Sequence, residues 1–392
     1  MKNKTIGILM LILASTASVK VYSQASSTDS RVIYTVVPFL TIAPDSRAGA
    51  MGDAGVATSP DCYSMHWNPA KFAFIDGKGG FGISYSPWLR TLVPDINIAY
   101  LAGYGRIDTK QVIAGSLYYS SLGDIQFTDE FGNIVRNFKP NEFALDAGYS
   151  RLFGEYLSGG IAFRFIYSNL TGGLFAGGTA TKPGISFAAD ISAYYHRKID
   201  LMSKNAILAF GLNFSNIGSK MSYTDAKAPD FIPMNMRLGV SGNINLDSYN
   251  SLTLTIDLNK LLVPTPPKYD LAVKDSIISG KNPNVSVPVA IFQSFYDAPG
   301  GFKEELHEIT YSFGAEYWYN KQFALRCGYF LENETKGNRK YFTAGAGFKM
   351  NIFSLDFSYL MPLAQNHPLA RTLRFSLSFD FNAIKKAAKT NG

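Results

Sequence analysis

The sequence predicts an all-β fold, a transmembrane antiparallel β-barrel of about fourteen strands with an N-terminal hatch or plug segment. Three observations carry the prediction. Segments of about ten residues alternate apolar and polar side chains, as strands do when one face meets lipid and the other a wet interior. The joints between those segments alternate short and long. The chain also opens on a secretory-type leader, yet no run approaches the roughly twenty apolar residues of a membrane helix.

Lys2 and Lys4, the apolar stretch Ile6 to Leu13 and the small residues ending at Val21 and Ser23 read as a signal peptide over 1–23, cut before Gln24. No cysteine lies near that cut, which argues against a lipid anchor. Without the leader the formal charge of +7 falls to about +4 by simple counting. The charges are scattered, so no nucleic-acid partner is expected. With 29 Phe and 23 Tyr, the chain can supply aromatic girdles at both membrane interfaces. A soluble β-sandwich is the competing fold, and the length and regularity of the segments argue against it.

The clearest strand has Leu373, Phe375, Leu377, Phe379 and Phe381 at every second position, with Arg374, Ser376, Ser378 and Asp380 between them. Leu252, Leu254, Ile256 and Leu258 alternate likewise with Thr253, Thr255, Asp257 and Asn259. So do Ile161, Phe163, Phe165 and Tyr167 with Ala162, Arg164 and Ser168. Helical spacing fits these runs poorly. Strands are expected to begin near Phe81, Ile96, Val112, Phe143, Leu157, Ile185, Ile207, Met234, Leu252, Ile309, Phe323, Phe342, Leu355 and Leu373.

Short joints fall at Arg106–Lys110, Phe153–Tyr156, Asp247–Asn250, Asn320–Gln322 and Asn351–Phe353, while Arg197–Asn205 is intermediate. Long loops fall at Leu122–Asn141, Leu170–Pro183, Ile217–Pro233, Leu261–Leu306 and Leu363–Arg371. Bacterial barrels keep short turns in the periplasm and long loops outside. The first strand therefore runs outward. Segment 24–79 is expected to start in the periplasm as a hatch, the barrel to span 80–382, and 383–392 to form a basic periplasmic tail. Loop 261–306 becomes the largest external feature.

The inward register carries Asp146, Arg164, Asp190, Arg237, Asp257, Glu316, Arg326, Lys349, Asp356, Arg374 and Asp380. Both signs interleave, which predicts structural ion pairs between neighbouring strands. A selective filter would gather one sign. Ahead of the first strand, Arg47 to Phe74 is rich in small residues, and Asn68 before Pro69 is biased away from helix. Arg47, Gly49, Gly52, Asp53, Gly55, Trp67, Asn68, Pro69 and Ala70 form the candidate hatch motif; an ordinary periplasmic loop with a short helix is the alternative. In the largest loop, Val285, Val287, Val289, Ile291, Phe292, Phe295 and Tyr296 form an apolar cluster. Exposed together they mark a partner site; folded inward they cap the lumen.

Catalytic and cofactor chemistry finds no support. Gly77–Gly82 matches GxGxxG but precedes a strand instead of joining a strand to a helix. His66, His196, His307 and His367 lack metal-ligand spacing, and there is no GxSxG elbow. Cys62 lies in the N-terminal segment and Cys327 on the lipid-facing register, so two free thiols are expected.

The run Ser46 to Thr58, followed by Trp67-Asn68-Pro69-Ala70-Lys71, resembles the hatch signature of the FadL-like barrels of Bacteroidetes. It looks most like the PorV (LptO) family of outer-membrane components of the type IX secretion system. The likeness continues through Asp95–Ala102 and the closing segments Tyr341–Phe348, Phe353–Pro362 and Thr372–Phe381. It implies a hatch-bearing barrel without enzymatic activity or cofactor. It also implies partners: the C-terminal signal domains of secreted cargo, the SprA/Sov-type translocon, a PorU-type sortase of the surface attachment complex, and outer-membrane lipid. Two alternatives are a transporter of hydrophobic small molecules and a part in lipid A deacylation, for which His196 and His367 are the residues to test. The chain departs from many outer-membrane barrels in running past its last aromatic, Phe381, into Lys385, Lys386 and Lys389.

Overall fold

The computed structural model describes residues 30–381 apart from 94, 129–130, 174, 177–178, 202, 226–227, 271, 274–275 and 366. The expected leader and basic tail lie outside the described residues. Fourteen strands close into one antiparallel barrel. They are β1 (Gly79–Pro87), β2 (Ile96–Arg106), β3 (Gln111–Leu122), β4 (Asn141–Leu152), β5 (Leu157–Asn169), β6 (Gly184–Leu201) and β7 (Lys204–Gly218). The second half comprises β8 (Asn235–Asn245), β9 (Asn250–Leu261), β10 (Thr310–Tyr319), β11 (Phe323–Leu331), β12 (Lys340–Lys349), β13 (Phe353–Pro362) and β14 (Leu373–Asp380). Closure comes from β1 pairing with β14, from Gly80 opposite Asp380 to Tyr85 opposite Phe375. Every strand begins within three residues of its expected start.

The period of two explains this agreement. In β9, Leu254, Ile256 and Leu258 are exposed on the outer wall while Thr253, Thr255 and Asp257 are buried within. Closure leaves no unpaired strand edge, which is what lets a sheet cross hydrocarbon at all. Outward aromatics mark both rims, with Tyr85, Phe187 and Phe342 at the long-loop end and Phe153, Tyr319, Phe323 and Phe381 at the other.

Two expectations about the connections need correction. The joint at Arg197–Asn205 is a tight turn, because β6 and β7 stay paired down to Leu201 opposite Lys204. These strands have 18 and 15 residues, and their charged ends project beyond the short-turn rim, so the alternation of polarity fades there. Two shorter outer loops, 88–95 and 332–339, complete the long-loop rim.

The N-terminal route is the larger correction. Segment 30–78 does not begin at the short-turn mouth. Arg31 donates its backbone N–H to Thr335 and Val36 donates to Phe231, both in outer loops at the long-loop rim. From there the chain descends through the lumen and enters β1 from the short-turn side. The physical reason lies in its first described residues: Val37, Phe39 and Leu40 are buried against Tyr118, Ile232, Met234 and Leu262, so the apolar core of the outer half is built on them.

Candidate functional site

The interior is filled from the hatch outward. Helix α1 (Ser46–Gly49) is capped by Asp45, whose carboxylate accepts from the Ala48 N–H at 2.8 Å and from the Trp67 indole at 2.6 Å. One side chain thus fixes both the helix start and the ring that closes the hatch. Helix α2 (Ser64–Trp67) ends at Asn68, which accepts from Ala70 N–H at 3.1 Å and donates to the carbonyls of Val56 and Ala193. The Asn-Pro-Ala element is therefore a corner, with Pro69 starting the tight helical turn Pro69–Phe74. Lys71 is fully buried and donates to Gly55 O at 2.8 Å and Thr58 Oγ at 3.1 Å. Gly55 lies against the Trp67 ring, which a Cβ would meet at 2.4 Å.

The barrel wall answers these groups. Asp257 Oδ2 accepts from Gly55 N at 2.6 Å and Val56 N at 2.8 Å. Ser376 Oγ accepts from Ser46 N, Thr343 Oγ from Gly52 N, and Ser192 Oγ from Ala70 N. Ser150 and Ser158 donate to Ala70 O. These inward hydroxyls were absent from the sequence-level candidates. Their signal is faint: a small hydroxyl on the inward register, where a barrel without a plug would favour larger polar groups.

Among the charged residues two clusters stand out, with other groups placed outside them. Arg164 binds Asp146 at 2.6 Å and Asp190 at 3.3 Å, and also Asn216, which sits at a bulge in β7. Arg326 binds Glu316 at 2.7 Å and Asp356 at 2.6 Å, and Glu316 also holds the hatch through Arg47 at 2.8 Å. Asp53 of the hatch meets Tyr341 OH at 2.5 Å and Arg374 at 3.7 Å. Asp257 serves hatch backbone instead of a cation. Lys349 and Asp380 lie at the short-turn mouth, beside a cavity of about 350 Å³ that Arg47, Asp61 and Cys62 also line. Cys62 and Cys327 are both free, buried and exposed respectively.

Arg237 stands apart. It is buried, its ring partner is Trp67 at 5.2 Å, and its hydrogen bond goes to the His66 carbonyl at 3.1 Å; it makes no ion pair among the described residues. It lines a cavity of about 480 Å³ beneath the outer loops, whose walls mix Trp88, Phe330 and Leu369 with Glu308, Glu332, Lys336 and Arg339.

The largest loop is ordered by charge. Helices α3 (Val287–Gln293) and α4 (Phe302–His307) lie within it. Lys260 binds Glu305 at 3.0 Å and Glu308 at 2.6 Å, Lys336 binds Glu304 at 2.8 Å and Glu308 at 2.9 Å, and Arg31 binds Glu304 at 2.9 Å. Burial alone would raise the Glu304 carboxyl, but the bonds from Arg31 and Lys336 hold it down at about 2. Asp297 has no such cation among the described residues; burial, then Glu305, pushes it up to about 6. The apolar cluster divides. Val285, Val287 and Ile291 pack inward against the outer core. Val289, Phe292, Phe295 and Tyr296 stay exposed, Phe292 by 71%.

His196 and His367 lie at opposite ends of the barrel. His196 packs on Phe74 near the short turns, and His367 accepts from Leu369 N in the last outer loop. No group of metal-ligating side chains occurs among the described residues.

A hatch locked to the wall of a fourteen-strand barrel is thus in place, and the family model described as type IX secretion system protein PorV matches residues 25–268. The chain belongs to the PorV family. Membership places it in type IX secretion, and the barrel places it in the outer membrane. No curated protein matches the sequence. Among solved structures, PorV-family architecture here is similar to the toluene transporter TodX of Pseudomonas putida, at 13% identity and TM-score 0.47 over 90% of this chain and 98% of that one. The toluene transporter TbuX of Ralstonia pickettii matches at 13% identity and TM-score 0.42, covering 86% and 96%. A FadL homologue of Pseudomonas aeruginosa matches at 11% identity and TM-score 0.42, covering 90% and 100%.

Proposed function

We propose that this barrel is a non-enzymatic shuttle of type IX secretion. It binds C-terminal signal domains of cargo at the SprA/Sov-type translocon and delivers them to the PorU-type attachment complex. One observation carries the reading: a large outer loop, braced by buried ion pairs, presents Val289, Phe292 and Tyr296 to the exterior. Apolar side chains held outward on an ordered element are suited to partner binding, because little ordering entropy remains to be lost on association.

The test substitutes Phe292→Ser together with Tyr296→Ser and measures capture of a purified cargo signal domain by the intact barrel. Both side chains are exposed, so the fold should be kept. A central aromatic anchor contributes about 2 kcal/mol or more, which predicts at least a tenfold loss of capture. Unchanged capture by the folded variant removes the loop from the docking surface. The outer cavity above the hatch favours a second reading, passage of hydrophobic small molecules. Uptake that depends on this barrel, with cargo capture absent, would select it.

A further inference from the structure

Helix α4 meets the barrel at an unusual place. Lys260 stands on the outward register of β9, above the lipid-facing Leu258, where an uncovered ammonium would face the membrane. The loop covers it by laying Glu305 and Glu308 across it, and both carboxylates are buried. This pins α4 over the outside of the rim and sorts the helix into three faces. Glu305 turns toward Lys260 on the wall and Glu304 toward Arg31 and Lys336, while Glu308, just past the helix end, is bound by both Lys260 and Lys336. Phe302 and Leu306, four residues apart, turn outward with exposures of 76% and 45%. Lys303 and His307, again four apart, occupy the remaining flank.

Each flank of α4 borders a groove on the outer wall. On one side Phe302, Leu306 and Phe295 roof an apolar slot of about 170 Å³ whose floor is Met236, Leu238 and Leu258. Leu238 and Leu258 face each other across β8 and β9 and belong to the exposed lipid-facing band, so the slot continues that band under the helix. On the other side, Lys303, His307, Lys340 and Glu334 border a groove over the outward side chains Tyr311 and Leu331. Lys340 is paired with Glu334 at 2.8 Å, whereas Lys303 has no acidic partner among the described residues.

We propose that α4 is a lipid-binding element: the slot takes an acyl chain of an outer-leaflet membrane lipid, and Lys303 and His307 take the phosphate of its headgroup. The slot has the chemistry of a hydrocarbon chain and is continuous with hydrocarbon. Lys303 and His307 lie on the other side of the same helix, over the long-loop ends of β10 and β11 at Tyr311 and Leu331, the end of a membrane strand where headgroups replace hydrocarbon. A soluble peptide fits worse, since the charged side chains bordering the slot, Lys260 and Glu305, are engaged with each other and leave little for its backbone to bond. The proposal does not depend on the secretion reading.

The test uses Phe302→Trp in the full chain, reconstituted in phosphatidylcholine bilayers containing brominated phosphatidylglycerol or brominated phosphatidylcholine. Signal from Trp67, Trp88 and Trp318 is subtracted with the parent protein. The introduced indole should be quenched by both lipids, with preference for the anionic one on the order of fivefold. Adding Lys303→Gln and His307→Gln should bring the preference to one while quenching by brominated phosphatidylcholine persists. No quenching would put α4 in water and overturn the proposal. Equal quenching by both lipids in the Phe302→Trp protein would reduce the contact to ordinary annular lipid and overturn it too. Heat-modifiable gel migration of each variant verifies the barrel.

Discussion

Among single residues, Glu316 has the most at stake. It is buried and joins two cations from different parts of the chain, Arg326 of β11 at 2.7 Å and Arg47 of the hatch at 2.8 Å. Removing one partner of a buried pair costs more than the pair contributes, because a desolvated charge is left behind. Glu316→Ala is expected to destabilise the protein by about 3 kcal/mol. Asp61 and Asp356 remain to share the two guanidinium groups, which keeps the loss from being larger. The measurement is the temperature at which the folded, fast-migrating form disappears on a detergent gel, and it should fall clearly below that of the parent. An unchanged transition would mean that the hatch is not anchored through Arg47.

At the scale of elements, the strands and the hatch were legible to different degrees. The strands were readable because each side chain has two possible destinations, lipid or lumen, and the chemistry of those destinations differs sharply. The hatch motif was visible as composition, yet its path was not. Its backbone groups are answered by lone hydroxyls far away in sequence, such as Ser376 for Ser46, which carry no periodic signal. Arg237 and Asp257 show the same limit. They occupy the inward register as expected, but the partners that settle their roles, Trp67 and the Gly55–Val56 N–H pair, come from the hatch. Gly52 tests how rigid that element is. Its φ is +68°, and a Cβ would stand 2.7 Å from the Tyr329 carbonyl oxygen. Gly52→Ala is therefore strained by conformation and by contact. It should loosen the hatch while the barrel stays closed. Proteolysis of the assembled protein should then cut within 46–58 at least tenfold faster, with the gel migration of the barrel retained; equal protection in the variant would show that the hatch tolerates the shift.

For the whole molecule, the route of the N-terminal segment ties the two mouths together. Short turns mark the periplasmic end of bacterial barrels, and β1 starts from that end at Gly79. Arg31, however, is bonded to Thr335 and Glu304 among the outer loops. One covalent segment therefore spans the lumen, touching the loop that carries α4 at one end and the base of β1 at the other. The outer loops and the hatch are thus joined through Arg31, Val37 and Phe39, by continuous chain as well as by packing. Tyr34 reports on this arrangement because it is 81% exposed at the outer mouth. In Tyr34→Cys, a membrane-impermeant maleimide added to intact cells should label the new thiol. The natural cysteines give little background, since Cys62 is buried and Cys327 faces lipid. Labelling that appears only after the outer membrane is permeabilised would return this segment to the periplasm and sever the proposed connection between loop and hatch.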